Sequence, residues 1–135
     1  MKYYYKNYSL LTIFYLVFFS AVLFSCEPEE EAGANVTVTE ANITGIWRRT
    51  DSGFTERGKE YLAAGTGWLG NYNSGVFARA TAFSWSLTNA ASGHTLVEYR
   101  DAVGETYNED VAELTTTSMV LLRQQDGVSR HFTKQ

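Results

Sequence analysis

Val76-Phe77-Ala78-Arg79-Ala80-Thr81-Ala82-Phe83-Ser84-Trp85-Ser86-Leu87-Thr88 is the stretch on which the fold turns. Its odd-numbered positions carry Phe77, Arg79, Thr81, Phe83, Trp85 and Leu87, and its even-numbered positions after Val76 are all alanine, serine or threonine. A period of two sends successive side chains to opposite faces of a strand. The stretch is therefore predicted to be one long strand with a large, mainly aromatic inner face and a small-residue outer face.

Outward from it, the chain from position 42 reads as short alternating runs broken by Gly, Asn, Asp and Ser, with no helical stripe. Seven strands are predicted, over 43–51, 59–64, 76–88, 95–101, 106–114, 118–125 and 129–134. Val36-Thr37-Val38-Thr39 would make an eighth but is left with the segment before the domain. Asp126-Gly127 between two alternating runs predicts a type I′ hairpin, whose two central residues both need positive φ. Met119 and Leu121 face away from Val120 and Leu122, so that strand is expected to be covered on both sides. Connections this short favour antiparallel neighbours in a meander. A flat β-sandwich satisfies the pattern too. A small closed barrel is preferred, because closure hides both sheet edges and encloses the large side chains.

The amino terminus has a different character. Lys2 and Lys6 precede an unbroken apolar and aromatic run from Leu10 to Ser25, which is short against the roughly 20 residues a bilayer core requires. A basic start, a short hydrophobic segment and a small residue before the cut describe a secretory signal over 1–25. The sole cysteine, Cys26, follows directly, although exported proteins normally use cysteines in pairs. Glu27-Pro28-Glu29-Glu30-Glu31 opens an acidic stretch that cannot bury itself, so 26–41 is read as a flexible tether and 42–135 as the folded domain. The whole chain holds 11 Lys+Arg against 15 Asp+Glu; without Lys2 and Lys6 the balance is 9 against 15, a formal charge of −6. That balance, with no basic stripe, argues against nucleic acid as a partner. A domain this small buries roughly 60–65% of its unfolded surface, which leaves little room for a large enzyme cleft.

Leu23-Phe24-Ser25-Cys26 resembles the lipobox of bacterial lipoproteins, in which a signal peptidase cuts before a cysteine that is then lipidated. The acidic cluster behind Cys26 is similar to the surface-export signal of Bacteroidetes-type lipoproteins, and equally to a segment solvated beside a membrane. The resemblance implies anchoring of Cys26 through acyl chains such as palmitate to the bacterial outer membrane, at its periplasmic face or the cell surface. Within the domain, Gly45 and Trp47, Gly65-Thr66-Gly67, Phe83-Ser84-Trp85, Glu113-Leu114-Thr115 and Phe132-Thr133-Lys134 occur in the order seen in short lipocalin-like domains. That resemblance implies a structural role for Gly45 and Trp47 at the base of a barrel, with a basic residue over the tryptophan; Arg130 and Lys134 are the candidates. The domain is shorter than a full lipocalin.

If the barrel has an open end, Phe77, Arg79, Phe83 and Trp85 on the large face, with Trp68 and Tyr72 in a loop over 67–75, are the candidate ligand-lining residues. Core filling competes for Phe83 and Trp85, a rim position competes for Arg79, and Trp68 and Tyr72 either fold over the mouth or stand exposed as a platform. Gly65-Thr66-Gly67-Trp68-Leu69-Gly70 matches the dinucleotide fingerprint, but no helix follows to receive a pyrophosphate, so it is read as a turn. His94 and His131 lack neighbours at metal-ligand spacing, and no serine sits in a nucleophile elbow. Glu109-Asp110 and Glu113 are read as a solvated edge strand. No cofactor, metal or catalytic residue is predicted. Two functions remain: a lipid-anchored binding module for a small apolar or amphipathic ligand, and an accessory surface protein with a filled barrel whose partner is another envelope protein.

Overall fold

The structure, a computed structural model, describes residues 33–90 and 93–135. The signal segment and Cys26 lie outside the described residues. A four-residue helix, α1 (Glu40–Ile43), precedes eight strands: β1 (Gly45–Arg49), β2 (Arg57–Leu62), β3 (Thr66–Asn73), β4 (Val76–Ala90), β5 (Gly93–Arg100), β6 (Glu105–Leu114), β7 (Ser118–Arg123) and β8 (Ser129–Lys134). Each strand pairs antiparallel with the next, and β8 returns to β1, so the sheet closes on itself. The fold is an all-β meander barrel, not a sandwich, and is compatible with a lipocalin-like architecture.

The unanticipated strand is β3, which occupies the stretch expected to be a loop. Glycine reads as a breaker, yet here it makes room for neighbours. A side chain at Gly67 would overlap the Phe83 ring, and one at Gly70 would overlap Phe77. The dinucleotide-like motif is thus mostly strand. Ser74 and Gly75, at φ 51° and 82°, form the two-residue turn into β4, with Asn73 paired to Val76. Positive φ at both central residues makes this a type I′ hairpin. At the site where one was expected, Gly127 has positive φ (67°) and Asp126 does not. The β7–β8 loop is longer, closed by Arg123 N–H donating to the Val128 carbonyl at 3.1 Å and Gly127 N–H to the Arg123 carbonyl at 2.9 Å.

The alternation of β4 breaks once. Leu69 pairs with Thr81 but Gly70 pairs with Arg79, which skips Ala80. One extra residue in one strand reverses the facing of everything beyond it. Thr81, Phe83 and Trp85 face the interior as expected, whereas Phe77 and Arg79 are turned to the outer face.

One end of the barrel is closed and filled. Trp47, Tyr61, Phe83, Trp85, Leu96, Met119, Leu121 and Phe132 are buried there, with Ile43 of α1 beneath. Tyr61 meets Phe83 and Trp85 edge-on at 5.5 and 5.3 Å between centroids. Thr39 caps α1 by accepting the Asn42 N–H at 3.3 Å. The last carbonyls of a helix lack intrahelical partners. Here the Trp47 indole N–H donates to the Ile43 carbonyl at 2.6 Å, and Lys134 Nζ donates to that of Asn42 at 3.1 Å.

Lys134 Nζ also stands 5.0 Å from the Trp47 ring, so of the two candidate bases Lys134 is the one over the tryptophan. Gly45, at φ 134°, leaves the space that its stem occupies. Replacing Lys134 with methionine keeps the stem and removes the charge. It is expected to cost about 1–2 kcal/mol, read as a lower urea midpoint. An unchanged midpoint would show that the ammonium contributes nothing to the plug.

Residues assigned to the tether also touch the barrel. Asn35 bridges Thr115, Val36 N–H donates to the Leu114 carbonyl at 3.1 Å, and Val36 and Val38 pack against the core. They add no strand to the sheet.

Candidate functional site: a cationic cavity at the open end of the barrel

Above the apolar plug, the interior positions of five strands change from apolar to charged. Successive inward residues are Tyr61, Lys59 and Arg57 on β2, Leu96, Glu98 and Arg100 on β5, and Val111 and Glu109 on β6. On β7 they are Met119, Leu121 and Arg123, and on β8 Phe132 and Arg130. Glu109 pairs directly with Arg123 across β6 and β7, and the tilt of the strands in the closed barrel brings the other charges beside them.

Glu98 and Glu109 are fully buried there. Lys59 Nζ bridges them, donating to Glu98 Oε1 at 2.7 Å and to Glu109 Oε2 at 2.5 Å. The Tyr61 hydroxyl donates to Glu98 Oε1 at 2.6 Å, and Arg100 Nη2 lies 3.3 Å from Glu98 Oε2. Arg130 Nη1 donates to Glu109 Oε1 at 2.5 Å, with Arg123 Nη2 at 3.4 Å. A buried charge is tolerated when it is paired and hydrogen-bonded, and each carboxylate here has at least three donors or cations.

The electrostatics follow from the geometry. Burial pushes the Glu109 carboxyl up, but Lys59, Arg130 and Arg123 outweigh it and hold it at about 2, well below its ordinary 4.5. Burial, then the charges of Glu98 and Glu109, push the Tyr61 hydroxyl well above its ordinary range, so it stays a donor.

Over this belt the barrel opens into a cavity of about 570 Å3. Its wall carries Arg49, Arg57, Lys59, Arg100, Arg123 and Arg130, together with Phe54, Leu69, Asn71, Thr81, Val128 and Phe132, and, among the described residues, no carboxylate. Arg100 and Arg123 lie over the Tyr107 ring at 3.9 and 4.6 Å, which fixes their guanidinium planes. Arg49 donates to Asp51 at 2.6 Å, and Arg130 to Asp126 at 3.1 Å. Arg57 forms no ion pair among the described residues; its guanidinium lies 5.2 Å from the Phe54 ring.

No protein-family model, curated protein or solved structure matches the chain. Its site is therefore read from its own chemistry.

Phe77, Arg79, Phe83, Trp85, Trp68 and Tyr72 are not in the wall of this cavity. Phe83 and Trp85 belong to the plug, where the Trp85 indole donates to the Leu62 and Thr66 carbonyls at 3.1 and 2.9 Å. Arg79 is half exposed on the outer face, bound through two nitrogens to Glu60 at 2.6 and 2.8 Å and set over Trp68 at 5.7 Å. Tyr72 packs on Phe77 outside the barrel, with Arg48 4.8 Å from its ring. Glu109, expected on a solvated edge, is at the centre of the barrel, because a closed sheet has no edge. Of the cavity cations the sequence reading singles out Arg130 alone, as a candidate base over Trp47, a place that Lys134 takes. The signal that finds them is parity: on β2, β5, β7 and β8 the charged residues share the alternation of the buried apolar ones.

Proposed function

We infer that this chain is a binding protein rather than an enzyme, taking one small amphipathic molecule into the open end of its barrel. The observation that carries this is the barrel's division into a filled plug and an open cavity of about 570 Å3, within the 300–1,000 Å3 typical of small-ligand sites. A barrel filled throughout, as the accessory-protein alternative requires, would leave no such space. Its wall combines fixed polar groups with apolar patches at Phe54, Leu69 and Val128. That mixture suits an amphipathic ligand better than a purely apolar one.

We place this barrel on a bacterial lipoprotein held to the outer membrane through Cys26. The support is the lipobox-like Leu23-Phe24-Ser25-Cys26 and the acidic stretch that follows. Two or three acyl chains, at about 0.8 kcal/mol per buried methylene, hold a small domain at a membrane nearly permanently.

Mass spectrometry of the protein gently extracted from its own membrane tests both halves. Under denaturing conditions the chain is expected to begin at Cys26 with an acyl increment. Under native conditions it is expected to carry a non-covalent small-molecule adduct that Arg100→Glu abolishes. A chain without the acyl increment refutes the anchor, and an adduct indifferent to that substitution refutes the cavity.

A further inference from the structure

The cavity holds more positive charge than the fold requires. Outside the amino-terminal Lys2 and Lys6, the chain has nine Lys and Arg, and six of them line this one space. Among the described residues four carboxylates pair with the six: Glu98 and Glu109 beneath the floor, Asp51 beside Arg49 and Asp126 beside Arg130. Six cations less four anions leaves a formal +2 inside a chain whose overall charge is −4. Lys59 and Arg130 are accounted for by the two buried glutamates. Arg57 has no such account, and crowding like charges works against folding unless something of opposite sign enters. The donor surplus also shows at Arg100 and Arg123, whose Nε atoms are shielded from solvent with no partner among the described residues.

We propose that the ligand is a small organic anion whose acidic group, a carboxylate, sulfate or phosphate ester, sits among Arg57, Arg100 and Arg123. Its apolar body lies against Phe54, Leu69 and Val128. This rests on the binding reading above and adds the ligand's charge and orientation. The space is far larger than a lone inorganic anion needs, and the apolar wall residues gain nothing from one. A nucleic-acid backbone is excluded by shape, since the cations line the inside of a barrel and not a surface track. Guanidinium groups suit this task because their fork of donors matches an oxyanion bidentately, and a low-dielectric wall strengthens the attraction.

The test uses the full chain in nanodiscs and three probes: 4-phenylbutanoate, its neutral isostere 4-phenylbutanamide, and inorganic phosphate. Binding is read from the side-chain N–H resonances of the arginines. The carboxylate is expected to shift the Arg57, Arg100 and Arg123 signals and to bind about tenfold or more tightly than the amide. It is likewise expected to bind more tightly than phosphate. Arg57→Gln touches no ion pair of the fold and is expected to weaken the carboxylate about fivefold while leaving the amide unchanged. Equal binding of amide and carboxylate overturns the anion and leaves the cavity reading standing. Phosphate binding as tightly as the carboxylate overturns the apolar contact. No shift with any probe at millimolar concentration overturns the binding reading itself.

Discussion

Replacing Lys59 with methionine is expected to cost about 3–5 kcal/mol of folding stability, the range for removing one partner from a buried ionic group. Among the described residues, Lys59 is the single cation that touches both fully buried carboxylates, at 2.7 and 2.5 Å. Methionine fills nearly the same volume, so packing changes little and the loss is electrostatic. Without the ammonium, Glu98 keeps the Tyr61 hydroxyl and a long contact to Arg100, while Glu109 keeps Arg130 and Arg123. Glu98 is the less well compensated of the two. Small domains have total stabilities of about 5–15 kcal/mol, so the variant is expected to be near its unfolding threshold. Urea denaturation measures the loss directly. The double variant Lys59→Met with Glu98→Gln removes the stranded charge as well and is expected to recover part of it. A single substitution costing under about 1 kcal/mol would mean that water reaches these groups and that the belt is not a buried one.

The same belt explains what could and could not be read along the chain. Alternation located β1, β2 and β4–β8 because each carries large residues at every second position. β3 escaped because its packing depends on residues that have no side chain: Gly67 and Gly70 are defined by Phe83 and Phe77 on the neighbouring strand. The facing of Phe77 and Arg79 escaped for a related reason. The step at Ala80 is a property of the β3–β4 pair, and nothing within β4 announces it. The pairing of Lys59 with Glu98 and Glu109 joins residues 39 and 50 positions apart, which only closure of the barrel brings together.

Plug and cavity divide the interior between stability and binding. Trp47, Tyr61 and the residues around them supply apolar burial at one end, and the carboxylates above neutralise the deepest cations. The arginines nearer the mouth are left with donors to spare. Glu109 is the link: it holds Lys59, Arg130 and Arg123 at the floor, so its protonation loosens both parts at once.

Acid is therefore expected to unfold this barrel by a route traceable to one residue. The Glu109 carboxyl titrates at about 2 in the folded chain against 4.5 in the unfolded one. A depressed folded value means that the unfolded chain binds the proton more readily. The stabilisation is fully present above about pH 4.5 and is lost as pH falls towards 2. The separation between the two values corresponds to about 3 kcal/mol. Glu109 is completely buried, so solvent screening does not reduce it. Urea unfolding measured at intervals from pH 7 to pH 2.5 is expected to show stability falling most steeply below pH 4.5. Glu109→Gln is expected to start lower at pH 7, because three cations lose their shared anion, and then to decline with a visibly shallower slope. Parallel curves for the two proteins would assign the acid sensitivity to other carboxylates and would remove Glu109 from the centre of the belt.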